Sequence, residues 1–281
     1  MIVKPRSEKG VQLMPSEINS RLSGFYNLPI SERISIISEK ADLNREDIKD
    51  LSEAMRVADA DPMIENTIGV HALPLGVATN FTINGRDVLV PMVIEEPSVV
   101  AGASLAAKLA RKNRGFTAQA DAPIMIGQIQ LVELADPWAA RIDVLSHQEE
   151  LLALANEADP ILVDLGGGAR SVEARVLETP QETMLIVHLL YDVRDAMGAN
   201  AVNTACEQLA PALERITGAR AHLRILSNLA DRRLTRTKVS IPESTLAFES
   251  FTGEEVAVGI ERAWAFAAAD PYRATTHNKG I

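Results

Sequence analysis

The sequence predicts an α+β protein: a larger mixed α/β domain with a smaller β-α-β-β-α-β domain inserted into it. Three observations predict this. The chain has 281 residues, about two domains at roughly 150 residues each. Between residues 122 and 228 strand and helix periods alternate in the order β-α-β-β-α-β. Mixed elements precede and follow that stretch, so residues 21–121 and 229–281 read as one discontinuous domain around 122–228. Aromatic residues make up only 4% of the chain, which leaves Ala, Leu, Ile and Val to build the core.

Residues 1–20 mix charge, Pro and Ser without period and read as a flexible arm. Ser31 is placed to cap a short helix carrying Ile34 and Ile37. Asn44 is placed to cap a second, with Asp47 in its first turn and Ile48, Leu51 and Met55 on one face. Asn84-Gly85 is a hairpin turn dipeptide, followed by a buried strand that Pro91 should interrupt. Pro97 and Ser98 open a helix over 99–112 that is small and apolar on most sides, the pattern of a helix buried in a core.

In the middle third, 124–134 alternates as a strand, and Pro137 starts one helix that runs to about residue 155. Gly166-Gly167-Gly168 leads to a strand over 172–177, Thr179-Pro180-Gln181 turns the chain, and 184–191 is a second, buried strand. A long helix follows, with Val202, Cys206, Leu209, Leu213 and Ile216 on one face, Pro211 as an expected kink, and Gly218 as a left-handed C-cap. Residues 221–226 close the set as a strand, in the split arrangement known as ferredoxin-like. Beyond it the pattern gives a short strand over 238–241 and a helix over 254–269. The polar run 270–279 reads as a tail with no element of its own.

Charge and composition narrow the function classes. Lys and Arg total 28 against 38 Asp and Glu, a formal net charge of −10, which repels phosphate backbones and anionic surfaces. A general nucleic-acid binder is not expected. The single cysteine, Cys206, rules out an internal disulfide and a cysteine-based zinc site, and fits a reducing compartment. No signal peptide or membrane-length apolar run is visible, so a cytoplasmic protein with neither metal nor membrane partner is expected.

Several segments carry possible chemistry. Gly166-Gly167-Gly168 is more plainly a flexible turn than a phosphate cradle. In Arg194-Asp195-Ala196-Met197-Gly198-Ala199-Asn200, a glycine among small residues opens a helix at a strand end, aiming unpaired N–H groups and the helix dipole outward. That arrangement can hold a pyrophosphate, or Asp195 can simply cap the helix. Glu95 and Glu96 lie between a buried strand and a buried helix. One carboxylate can be solvated and the other can favour the helix start; alternatively, apolar walls make one a proton donor near neutral pH. Lys279 near Arg273 and His277 is ordinarily a surface cation, and His71, His147, His188 and His222 read as structural.

Four segments carry a resemblance: MIENTIGVHALPLGVATNFTINGRDVLVPMVIEEPSVVAGASLAAKLA at 63–110, YDVRDAMGANAVNTACE at 191–207, LRILSNLADRRL at 223–234 and DPYRATTHNKGI at 270–281. In this order they resemble the class II, bacterial type of 3-hydroxy-3-methylglutaryl-coenzyme A reductase, from about Leu22 to the last residue. The resemblance implies reduction of the hydroxymethylglutaryl thioester to mevalonate and free coenzyme A with two hydrides, or the reverse oxidation. It also implies a cofactor domain inserted into a substrate domain, and a homodimer or higher oligomer. Glu96 matches the family's catalytic glutamate and Lys279 its catalytic lysine. Ser98 and Arg273 match positions that hold the acyl end of the substrate. Glu65 and Asn66, in a run where Thr67 replaces Val, match an element by the substrate and the dimer contact. Asp195, Met197, Gly198 and Asn200 match the dinucleotide element, and Asn228 lies in a matching polar run near the cofactor. Asp159 matches an acidic position at the adenine-side ribose, which implies NAD(H) in preference to NADP(H), because a carboxylate bonds a 2′-hydroxyl and repels a 2′-phosphate.

The family's catalytic aspartate and the histidine that protonates the departing thiolate lie beyond the point matching Ile281, and His277 belongs to the T-H-N-K segment itself. Three outcomes are open: an interrupted copy of the gene, a separate polypeptide supplying the carboxy-terminal portion, or a catalytically inactive fragment that keeps dinucleotide binding and a dimer surface.

Overall fold

The computed structural model describes residues 19–53 and 55–280; all but the last two residues of the expected arm lie outside them. Helix α1 (Ile30–Ala41) follows Pro29 directly, so Ser31 lies inside the first turn and does not cap it. Extended Pro29, at φ −55° and ψ 151°, already ends the preceding segment, and Glu32 favours the positive end of the helix. Helix α2 (Arg45–Ser52) starts as expected: the Asn44 side chain accepts from Glu46 N at 2.7 Å and Asp47 N at 3.1 Å, while Asp47 accepts from Asn44 N at 2.9 Å. It ends before Met55. Helix α3 is the single turn Val57–Ala60.

Strands β1 (Leu75–Ile83) and β2 (Arg86–Val93) form an antiparallel hairpin closed by Asn84 and Gly85, at φ 51° and 78°. Pro91 does not interrupt β2. It stands opposite Val77 in a two-stranded sheet, where each strand is an edge and a missing N–H is tolerated. Helix α4 (Val99–Ala110) packs on β1: Ser104 Oγ accepts from Thr79 N at 3.0 Å, and Asn80 donates to Ser104 O at 3.1 Å. The expectation of a buried helix fails here. Only Ala107 and Ala110 are buried and Leu105 is 56% exposed, because the hairpin covers one side of α4 alone.

Arg111, just past α4, ties this region together. It pairs with Asp87 at 2.6 Å and donates to Ser20 Oγ at 3.0 Å and Thr82 Oγ1 at 2.9 Å, and Ser20 N donates to Asp87 at 2.9 Å. Burial alone would favour a neutral Asp87, but the bonds from Arg111, Ser20 and Thr82 prevail and hold its carboxyl below the usual range.

Strand β3 (Thr117–Ala120) leads to the second unit. There β4 (Ile124–Val132) is followed by α5 (Pro137–Ser146), α6 (Gln148–Asn156) and α7 (Pro160–Asp164). The single helix expected from Pro137 is broken at His147, whose ring takes the Asp143 carbonyl at 2.8 Å, a side chain competing with the backbone ladder. Strands β5 (Gly168–Glu178) and β6 (Thr183–Asp192), helix α8 (Ala199–Thr217) and strand β7 (Arg220–Ser227) complete the unit. The antiparallel sheet has the order β5-β6-β4-β7, the ferredoxin-like one. Its inner face (Ile129, Leu131, Leu185, Val187, Leu189, Tyr191) packs without exposure against Val202, Cys206, Leu209 and Leu213 of α8. Burial pushes the Cys206 thiol up to about 12, so it acts as a small apolar group. The helix runs unbroken through Pro211, which sits on its exposed side, where a freed carbonyl turns to water.

Strand β8 (Thr235–Lys238) pairs with β3, three residues earlier than the sequence pattern placed it. Then come α9 (Glu243–Leu246), α10 (Gly253–Ala269), with a Thr252–Glu255 capping box, and α11 (Pro271–Gly280). The expected tail is thus a helix. Asp270 accepts from Tyr272 N and Arg273 N, and Pro271 occupies the first helical position, so the local start signal outweighs the polar composition. The chain divides into two compact units, Met1–Ala118 with Thr237–Ile281, and Gln119–Arg236. No helix among the described residues is long and apolar enough to cross a membrane.

Asp87→Asn leaves the largely buried Arg111 without its counter-charge and is expected to destabilise the first unit by about 3 kcal/mol. The sign with pH follows from the depressed carboxyl: its stabilisation is present above the unfolded value of 3.8 and is lost as pH falls through the lower folded value. Urea midpoints of both proteins from about pH 7 down to pH 3 check this. The gap must close on the acid side, and a gap constant with pH would refute the role of the pair.

Candidate functional site

In the first unit, β2 ends at Val93 and the chain turns sharply through Glu95, Glu96 and Ser98 into α4. Ser98 holds φ 73°, a left-handed conformation that costs a non-glycine residue about 1–3 kcal/mol and is retained where surrounding structure dictates it. Its side chain does not cap α4. Lys279, near the end of α11, reaches this turn from 183 positions along the chain: its Nζ donates to Glu96 Oε2 and stands 3.7 Å from Glu95 Oε1. The hydrogen bond and charge of Glu96 raise the Lys279 pKa, so the amine stays an ammonium through neutral pH. Of the two alternatives for the carboxylates, solvation rather than apolar walls is what the described residues give: the side chains of Glu95 and Glu96 are 59% and 49% exposed. Here the ammonium, not burial, is the dominant neighbour.

Glu96 and Ser98 open onto a cavity of about 1170 Å³ between α4, β1 and the segment 21–26. An ammonium beside a carboxyl at its mouth can stabilise negative charge on a bound carbonyl oxygen and exchange a proton with it. Arg273 lies on α11 six residues before Lys279, half-buried, with its N–H capped by Asp270. Glu65 and Asn66 are in an exposed turn, Asn66 at φ 58°, and do not line the cavity.

In the second unit, strand register gathers the residues expected at a dinucleotide. Ile124 of β4 faces Asp192 of β6, Gly168 of β5 faces the same Asp192, and Ser227 of β7 faces Ile126. The Gly166–Gly168 loop, the Asp195–Asn200 segment and exposed Asn228 therefore share one end of the sheet. Gly198, not Asp195, is the N-cap of α8; at φ 90° it makes no side-chain cap, which leaves the first N–H groups of a 19-residue helix pointing outward. A Cβ there would lie 2.6 Å from Val193 Cγ1, so only glycine fits. This uncapped cradle suits a pyrophosphate. Met197, beside it, is 76% exposed.

Asp159 caps α7, its Oδ1 accepting from Leu162 N at 3.0 Å, while Oδ2 makes no hydrogen bond among the described residues. The sequence reading missed the centre of this end, Asp192. Almost fully buried, it accepts from Arg170 at 2.9 Å and from Arg194 N at 3.1 Å. Burial opposes its charge, but the two arginines hold its carboxyl below the usual range. Both guanidinium groups also donate to the Gly166 carbonyl. Two arginines thus hold the carbonyl of Gly166 in the triple-glycine loop, and a Cβ on Gly167 would lie 2.8 Å from Asp192 O. A strand-end D-x-R was the only available signal. Among the described residues no cluster of His, Cys, Asp and Glu is placed to hold a metal ion.

Residues 29–281 match the family described as hydroxymethylglutaryl-coenzyme A reductase. The chain is 54% identical over 265 residues to the 3-hydroxy-3-methylglutaryl-coenzyme A reductase of Archaeoglobus fulgidus, an overlap of 94% of this chain and 60% of the relative. It is 28% identical over 222 residues to the probable 3-hydroxy-3-methylglutaryl-coenzyme A reductase of Borreliella burgdorferi, 78% of this chain and 49% of that one. It therefore spans about half to three-fifths of these curated relatives. The class II reductase of Streptococcus pneumoniae, solved bound to NADPH in open conformations, superposes with a TM-score of 0.85 at 39% identity, over 92% of this chain and 70% of that one.

Gly198→Ala is expected to lower stability by about 1–3 kcal/mol, from the left-handed φ and the clash with Val193. Thermal denaturation checks this; an unchanged melting temperature would show that the start of α8 does not depend on glycine at this position.

Proposed function

Because the chain belongs to the hydroxymethylglutaryl-coenzyme A reductase family, we propose that it takes part in the two-hydride reduction of the hydroxymethylglutaryl thioester of coenzyme A to mevalonate, or in the reverse oxidation. The observation that carries this reading is the Lys279–Glu96 contact at the mouth of the cavity. Lys279 Nζ stabilises the negative charge that hydride addition puts on the thioester carbonyl oxygen, and Glu96 supplies the proton. Ser98 and Arg273 hold the acyl end, the guanidinium as a fork for its free carboxylate, with Glu65 and Asn66 beside it. We assign substrate binding to the first unit, with sequence boundaries 21–121 and 229–281, and the dinucleotide to the second, 122–228.

A reduced nicotinamide, when bound, supplies the hydrides. On the protein side, Gly198 and Asn200 at the start of α8 face the pyrophosphate, flanked by Asp195, Met197 and Asn228. Asp159 Oδ2 accepts from the adenine-side ribose, so NAD(H) is preferred to NADP(H). The Streptococcus protein holds NADPH; the preference proposed here rests on the carboxylate of this chain. The exposed apolar turn with Ile64 at 65% and Ile68 at 100% exposure supports a homodimer surface. The family's remaining catalytic aspartate and histidine match a carboxy-terminal polypeptide outside the part of the relatives that this chain spans, and the site of action is the cytoplasm.

Substrate-dependent oxidation of NADH by the purified chain, alone and with that carboxy-terminal polypeptide added, tests the reading. A rate should appear in at least one case, and Lys279→Ala should lower it by ~10²–10³-fold. No rate in either would remove the enzyme and leave a dinucleotide-binding module. Separately, Asp159→Ala should shift the ratio of NADH to NADPH use toward NADPH, and an unchanged ratio would refute the role given to Asp159.

A further inference from the structure

The turn between β2 and α4 carries two acids in a row, and both reach the same amine. Along a strand successive side chains point to opposite faces, so neighbouring carboxylates do not converge. Here the strand ends at Val93 and the backbone bends at Glu95 and Glu96, which brings both side chains to Lys279. Lys279 Nζ donates to Glu96 Oε2 and stands 3.7 Å from Glu95 Oε1. Glu96, and after it Glu95, raises the Lys279 pKa. Arg273 and His277 share α11 with Lys279, but the charges at its Nζ are these two carboxylates. Two anions at one cation are more than charge balance requires, and an exposed ion pair contributes little stability. The second carboxylate therefore calls for another explanation.

The excess has a use once Glu96 works as an acid. While Glu96 carries the proton destined for the carbonyl oxygen it is neutral, and the ammonium loses the charge of its closest partner. A lysine on a flexible four-carbon stem then has no fixed place in an exposed site. Glu95 exchanges no proton with the substrate and keeps its charge throughout. We propose that Glu95 is a positioning residue, holding the Lys279 ammonium at the mouth of the cavity while Glu96 carries the proton. The ammonium has three N–H donors: one serves Glu96, one faces Glu95, and one is left for the thioester oxygen. The proton passes from Glu96 to that oxygen as hydride reaches its carbon, Glu96 becomes a carboxylate, and the ammonium again has two counter-charges. The inference rests on the reading of Lys279 and Glu96 as the reacting pair and adds what keeps the amine in place between the two states of its partner.

The test reads Lys279 directly in the full chain, as the rate at which acetic anhydride labels its amine at mildly alkaline pH, followed by mass spectrometry. Glu96→Gln imitates the protonated acid. In that background Glu95→Gln should raise the labelling of Lys279 about two- to fivefold, the worth of one exposed ion pair, while Lys108 of α4 labels as before. With Glu96 intact, the same change should have the smaller effect. Equal labelling of Lys279 with and without Glu95 in the Glu96→Gln protein overturns the proposal. A rise shared by Lys108, with a fall in melting temperature, reports a looser fold and overturns it as well. Turnover with the carboxy-terminal polypeptide added gives a second readout. Glu95→Gln should lower kcat with little change in the KM for NADH, and should move the alkaline limit of kcat to lower pH, because an ammonium with one anion fewer beside it loses its proton sooner. A profile lowered without that shift assigns Glu95 a merely structural role, against the proposal. No turnover by the unmodified protein sinks the reacting-pair reading and this inference with it, whereas unchanged labelling with turnover intact sinks the inference alone.

Discussion

The contact between Lys279 and Glu96 depends on a backbone that cannot relax. Ser98 is held left-handed between a strand paired along its length and a helix hydrogen-bonded to that hairpin, so the carboxylates are presented at a fixed place. Lys279 gets there because Asp270 and Pro271 start a last helix and aim its far end at the turn. The Arg111–Asp87 pair holds the same frame from behind, clamping Ser20, Thr82 and the end of α4 into one block. The ion pair at the site is half-exposed and contributes little stability itself; its geometry is set by elements that are stable for other reasons.

The second unit solves a different problem with the same economy. Its core is wholly aliphatic apart from Tyr191 and Cys206, and rigid packing of α8 against β4 and β6 fixes where that helix begins. At that end, a buried carboxylate, Asp192, gathers two arginines that pin the glycine loop through its carbonyl. Buried charge of this kind is expensive unless every lone pair is used, and here it orders the loop beside the α8 start. The uncapped N–H groups of α8 are then a fixed dipole facing outward.

Apolar side chains are left in the open on the first unit: Leu105 of α4, Ile260, Trp264 and Phe266 of α10, and Ile64 and Ile68 of the turn before β1. A two-stranded hairpin cannot cover both sides of a helix, and none of the residues of α10 is buried.

Local chemistry alone settled much. The Asn44 capping box, the Asn84-Gly85 turn, the stripe of Val202, Cys206, Leu209 and Leu213, and the ferredoxin-like order all follow from propensities and periods that act within a few residues, so they were legible in the chain. Reading failed where neighbours distant in sequence decided the outcome. The burial of α4 depended on how much sheet lay against it, and Pro91 on whether its strand was an edge. The partner of Glu96 was an ammonium 183 residues away, and the Gly166 carbonyl was held by arginines gathered on a carboxylate of the neighbouring strand. Periodicity reports which face of an element is apolar; which charge stands across from a given side chain is a property of the folded arrangement, because Coulomb and hydrogen-bond energies fall off with distance in space and not with separation along the chain.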